Sequence, residues 1–128
     1  MKPDSPTSAY KESAIENAPP IKIVHMLYEG ALRFLEQAEQ LDPVEDMEAF
    51  TRCINRADAI ISELRLSLDH GHAPEISKNL DALYVFAEER IRTAFLDRKL
   101  EGIGEARSVL ATLLEGWKGV ELDAEQTA

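Results

Sequence analysis

Apolar residues recur at intervals of three and four along four long stretches of this chain, and proline or glycine separates each stretch from the next. That spacing follows the 3.6-residue turn of a helix, not the two-residue alternation of a strand, so an all-α protein is expected. The first stretch runs from about Pro20 to Leu41 and repeats Ile21, Val24, Tyr28, Ala31, Leu35 and Ala38. Pro20 suits a first helical turn, and Pro43 falls just past the end. The second, from about Glu45 to Asp69, repeats Phe50, Ile54, Ala57, Ile61, Leu64 and Leu68 before Gly71 and Pro74 stop it. The third, from about Glu75 to Leu100, carries Ile76, Leu80, Leu83, Ala87, Ile91 and Ala94. The fourth begins near Ile103, after Gly102, and continues through Ala106, Leu110, Leu113, Trp117 and Val120.

Connections of a few residues favour antiparallel neighbours, which makes an antiparallel up-down four-helix bundle the expected architecture. A length of 128 residues suits one domain with one core. Residues 18–120 are assigned to the bundle, and the acidic ending "ELDAEQTA", residues 121–128, to a disordered tail. Residues 1–17 are expected to form a mobile N-terminal segment whose Ala9 to Asn17 portion is long enough for a turn or two of helix.

Charge removes several function classes. Asp and Glu number 24 against 14 Lys and Arg, a formal net charge of −10, which repels nucleic acid backbones and anionic lipid. No apolar run reaches the roughly 18 residues of a membrane span, and the N-terminus lacks the apolar stretch of a secretory signal. Stable membrane insertion is not expected. The lone Cys53 cannot close an internal disulfide and falls in an apolar helical pattern, where a reduced thiol acts as a small hydrophobe; a cytoplasmic location fits.

The first helix is apolar around more of its circumference than a bundle seam requires. Ile23 and Phe34 widen one flank and Leu32 the other, while His25, Glu29, Arg33 and Glu36 share the rest. Ile60 flanks the second seam. On the third helix Val85 and Leu96 stand eleven residues apart, about three turns, on one line directed away from the core. Scattered surface aliphatics are ordinary, but contiguous apolar surface on a small protein suits a groove for a partner's amphipathic helix. Tyr10 and Ile15, ahead of Pro19 and Pro20, supply a piece that would cover such a groove until a partner displaced it.

Catalytic patterns are absent. The carboxylates are expected on solvated faces beside Lys and Arg. Helical di-iron sites use Glu-x-x-His, and the residues three before His25, His70 and His72 are Lys22, Ser67 and Asp69. His70 and His72 flank Gly71 without a nearby third ligand and are read as solvated loop residues; no metal or other cofactor is expected. Cys53 has no histidine at suggestive local spacing, and no Gly-rich phosphate loop occurs. An enzyme is not expected. One catalytic alternative is histidine phosphotransfer through His25 in "HMLYEG", set against an exposed surface histidine. In the phosphotransfer pattern His-x-Leu-Lys-Gly a lysine precedes the glycine, whereas here Glu29 would repel a phosphoryl group. A generic adaptor for another helical partner is a second alternative.

The stretch "AYKESAIENAPPIKIVHMLYEGALRFLEQA" resembles the FliS family, the cytoplasmic flagellin chaperones of flagellar export. The likeness rests on Ala9 and Tyr10, on Ala18 and Pro20, and on Met26 through Phe34. It extends through "INRADAIISELRLSLD", "NLDALYVFAEERIRTAFL" and "LLEGWKGV", covering residues 9 to 120. Pro19 stands where the family usually has serine, removing a helix-capping hydroxyl, and Lys99 stands where an acidic residue usually follows the third helix. The resemblance implies a helical bundle that binds the disordered C-terminal segment of flagellin on its outside, blocks premature polymerisation, and delivers its client to the flagellar type III export gate. The groove residues expected from both readings are Ile23, Leu27, Phe34, Ile60, Val85 and Leu96, with Tyr10 and Ile15 as displaceable cover. Tyr28, Gly30 and Trp117 are expected to be structural. Exposed apolar residues also leave a homodimer open.

Overall fold

The computed structural model describes residues 20–127, with side chains from 21 to 119. Four helices fill that span: α1 (Pro20–Glu39), α2 (Met47–Leu66), α3 (Pro74–Asp97) and α4 (Glu101–Thr127). The described residues contain no strand. The N-terminal segment, including Tyr10 and Ile15, lies outside them. So does the side chain of Val120, although α4 itself continues to Thr127 through the stretch expected to be a tail.

Local chemistry sets the helix ends. Proline opens both α1 and α3, where the missing N–H would have had no helical partner. The Asp42 carboxylate accepts from the Val44 and Glu45 amides at 2.8 and 2.9 Å and shapes the α1–α2 turn. These amides hold its pKa below the ordinary aspartate value. Ser67 ends α2 by donating its hydroxyl to the Leu64 carbonyl at 2.8 Å, ahead of the boundary expected at Asp69. Arg98 closes α3 in the left-handed conformation, φ 56° and ψ 47°.

Sequential helices pack against one another, and α4 returns to α1, closing a ring. Contacts run in opposite directions along each neighbouring pair. Gly30 meets Ile60 and Gln37 meets Cys53; Arg65 meets Asp81 and Ser62 meets Glu88; Trp117 meets Tyr28 and Arg107 meets Glu39. The expected up-down antiparallel bundle is therefore the fold.

Tyr28, Ala31, Leu35 and Ala38 of α1 and Phe50, Ile54, Ala57, Ile61 and Leu64 of α2 form the core with the inward residues of α3 and α4. Full burial of a side chain such as Leu35 contributes about 2 kcal/mol relative to exposure. Two seams differ from expectation. In the first half of α3, Ser77 and Tyr84 are buried, while Ile76 is 62% exposed and Leu83 38% exposed. Both polar groups find partners inside: Ser77 donates to the Asp69 carbonyl at 3.0 Å, and Tyr84 bonds Tyr28, so turning them inward leaves no orphaned hydroxyl. In α4, Leu114 occupies the core and Leu113 packs partly against it.

Gly102 is a contact residue as well as a boundary. It is buried within the first turn of α4, and a Cβ there would overlap the Arg90 carbonyl oxygen. Only glycine lets α4 approach α3 so closely.

Candidate binding surface

Two shallow clefts flank α2. The first lies between α1 and α2, where Phe34, Arg56, Ala59, Ile60 and Leu66 border a space of about 400 Å³. Phe34 is half-buried, and the Arg56 guanidinium lies 5.7 Å from its ring centroid, a cation–π contact that fixes the ring's outer edge. Gly30 gives the Ile60 methyl room, since a Cβ there would stand 3.2 Å from it.

The second cleft lies between α2 and α3. Ile54, Ile91, Phe95 and Leu96 supply apolar surface, and Asp58, Glu88 and Arg92 supply the polar rim of a space of about 300 Å³. The α2–α3 seam is the most sparsely packed of the four and is laced by charge. Arg65 reaches Asp81 at 2.9 Å and Glu88 at 3.1 Å, and the Ser62 hydroxyl donates to Glu88 at 3.3 Å. Asp58 also stands beside Glu88 on the cleft's rim. Burial, then the Glu88 charge, pushes its carboxyl above the ordinary aspartate pKa, and Arg92 opposes this in part.

A third cavity, about 240 Å³, opens at the bundle end where α1 begins; Val24, Leu68, Ile76, Leu80, Tyr84 and Trp117 border it. Behind it, the Trp117 indole donates to the Tyr28 hydroxyl at 3.2 Å, and Tyr28 meets Tyr84 at 2.6 Å. This chain ties α1, α3 and α4 together, so Tyr28 and Trp117 hold structural positions.

The six described groove residues divide between the two clefts and the core. Phe34 and Ile60 meet at the first cleft, and Leu96, 68% exposed, edges the second. Val85 is half-buried on α3, in helical register with Asp81 and Glu88. Ile23 packs partly against the core. Leu27 and Ile60 are 8% and 7% exposed and belong to the core, so they support the surface more than they present it. The structure thus does not gather all six into one groove. Leu66, 86% exposed on the ridge of α2, is not among the expected residues, although its angular offset from the seam of Ile61 and Leu64 is visible on a helical wheel.

His25 departs from its expected exposed position: it is 7% exposed. A phosphoryl acceptor must meet its donor, so this burial removes the phosphotransfer reading. Among the described residues no group of three or more His, Cys, Asp or Glu side chains is placed to hold a metal ion. No described helix is long and apolar enough to cross a membrane.

The fold is an all-helical bundle with apolar clefts outside a closed core. Residues 3–124 match the family described as flagellar protein FliS. The chain is 33% identical over 113 residues to the flagellar secretion chaperone FliS of Campylobacter jejuni, covering 88% of each chain. It is 34% identical over 113 residues to the protein of the same name from Salmonella typhimurium, covering 85% of this chain and 82% of that one. The crystal structure of a bacterial flagellar chaperone shares the fold at a TM-score of 0.76 and 21% identity, over 93% of this chain and 99% of that one. The chain belongs to the FliS family of flagellar secretion chaperones.

Proposed function

We propose that this protein is a cytoplasmic export chaperone that holds the disordered C-terminal segment of flagellin, prevents its premature polymerisation and assists its delivery to the flagellar type III export gate. The observation that carries this reading is the pair of apolar clefts flanking α2, on a chain whose relatives are named as flagellar secretion chaperones. Leu96 stands outside the core closed by Tyr28, Leu35, Phe50, Ile61 and Leu110, and Phe34, which packs against that core, is only partly covered by it. Those side chains become useful when a second chain covers them.

A disordered client loses conformational entropy on binding, so affinity comes from a long interface and not from a few polar anchors. Two clefts on opposite flanks of α2 suit a segment that crosses that helix. Phe34 and Leu96 are the direct contacts, with Ile23 and Val85 beside them and Leu27 and Ile60 beneath. Tyr10 and Ile15 form the displaceable cover.

The test is capture of flagellin from the same organism by the full chain and by a variant lacking residues 1–17. Binding that needs the flagellin C-terminal segment and tightens in the truncated variant supports the reading. Equal capture of flagellin lacking that segment refutes it, and weaker capture by the truncated chain makes Tyr10 part of the client site.

A further inference from the structure

The cleft between α2 and α3 is charged differently at its two ends. Asp58 and Glu88 border one end, and Phe95 and Leu96 border the other, about two turns further along α3 and roughly 10 Å away. Over the Phe95 ring, 4.7 Å from its centroid, lies the guanidinium of Arg98, the residue that closes α3 in the left-handed conformation. The cleft therefore runs from a carboxylate pair to a stacked arginine, with the exposed Arg92 between them.

The Arg98 side chain is held in place without a carboxylate partner. Its Nη1 is buried and has no hydrogen-bond acceptor among the described residues. No carboxylate there forms an ion pair with it, although Asp97 is its neighbour in sequence. Burial of Nη1 and stacking on Phe95 fix the plane of the guanidinium and leave Nε and Nη2, which donate to no described residue, as its remaining edge. That edge takes a carboxylate side-on, through two parallel N–H···O bonds. Arg56 also stacks on an aromatic ring, that of Phe34, but it is exposed and has no nitrogen buried without a partner.

We propose that Arg98 captures the α-carboxylate at the end of the client chain, so that the α2–α3 cleft reads a chain terminus as well as an apolar surface. This rests on the reading of the client as a C-terminal segment. Whatever its sequence, such a segment carries that one carboxylate. Asp58 and Glu88 repel a carboxylate at the opposite end of the cleft, so the last residues of the client lie with their terminus toward Phe95. Capture of the terminus favours the free end of a client over the same sequence inside a longer chain.

Isothermal titration of the full chain with a synthetic peptide of the flagellin C-terminal segment, as the free acid and as the C-terminal amide, tests this. Amidation removes the charge and one acceptor oxygen and is expected to raise the Kd about tenfold, the scale of a lost charge-assisted hydrogen bond. That comparison needs no variant. In folded Arg98→Gln the free acid is expected to bind as weakly as the amide binds the parent, and amidation to make no further difference. In Arg56→Gln the tenfold ratio is expected to persist, whatever the absolute affinity. Equal affinity of the parent for acid and amide, or a preference for the acid that survives Arg98→Gln, overturns this proposal and leaves the flagellin reading standing. An Arg98-dependent loss on neutralising a side-chain carboxylate of the peptide, with none on amidation, overturns it as well. Binding of neither peptide overturns the flagellin reading and this inference with it.

Discussion

The hydroxyl oxygens of Tyr28 and Tyr84 lie 2.6 Å apart inside the bundle, joining α1 to α3 across the diagonal that the ring of neighbouring helices leaves open. Burial raises the pKa of both phenols, so each is neutral over the working range of the protein. Tyr28 is the hub, because it also accepts from Trp117. Tyr84→Phe removes one hydrogen bond and is expected to cost about 1 kcal/mol; Tyr28→Phe strands both neighbours and is expected to cost about 2 kcal/mol. Urea unfolding gives both values. A larger loss for Tyr84→Phe would contradict this hierarchy.

Two helical glycines of α4 are expected to respond with opposite signs. A Cβ on Gly102 would overlap the Arg90 carbonyl oxygen and stand 3.3 Å from the Ala94 Cβ, so Gly102→Ala must push α3 and α4 apart. A loss of about 3 kcal/mol is expected. A Cβ on Gly116 meets nothing within 4 Å, and Gly116→Ala is expected to gain close to 1 kcal/mol from helix propensity alone. Thermal melts of the two variants beside the parent chain check both signs.

These positions show where the sequence is readable. The seams of α1 and α2 follow a single run of three- and four-residue steps, and the residues picked from it line the core, apart from Val24 and Leu68, which pack partly against it, and Ile21, which is half-buried outside it. In α3 two seams compete, one through Ile76 and Leu83 and one through Ser77 and Tyr84. Hydropathy favours the first; the structure uses the second because a hydroxyl 56 residues away accommodates Tyr84. No local pattern carries that information. Gly102 reads as punctuation for the same reason, since its contact lies on another helix. Phe34 and Leu96 are legible as apolar residues off the seam. Burial of Leu27 and Ile60, and the division of the surface into two clefts, depend on how α2 seats against its neighbours.

Two aspartates are expected to give the pH profile opposite slopes. Asp58 has a raised folded-state pKa, so its ionised form opposes folding, and stability declines as pH rises from the ordinary aspartate value through the raised one. Asp58→Asn should melt higher than the parent at neutral pH, with the advantage fading in acid. Asp42 has a lowered folded-state pKa, so its contribution is full above the ordinary aspartate value and is lost as pH falls through the lowered one. Asp42→Asn should melt lower at neutral pH and converge with the parent in acid. Melting temperatures across about pH 2 to 8, read in ~1-unit steps, separate the two slopes.

Surface and core residues of the proposed site should separate cleanly. Leu96→Glu alters a 68% exposed side chain and is expected to change stability by no more than about 0.5 kcal/mol while weakening client capture. Leu27→Ala empties a buried position and is expected to cost about 3 kcal/mol, so any loss of capture there reports unfolding. Parallel melts and pulldowns distinguish them, and full capture by folded Leu96→Glu would remove Leu96 from the site.

The central claim is that the clefts beside α2 receive a flagellin segment. Isothermal titration of the full chain with a synthetic peptide of the C-terminal segment of its own organism's flagellin tests it most directly, with a Phe34→Glu, Leu96→Glu double variant as comparison. One-to-one binding with a negative heat-capacity change, lost in the folded double variant, is the expected result. No binding by the parent chain, or equal binding by the double variant, would contradict the account.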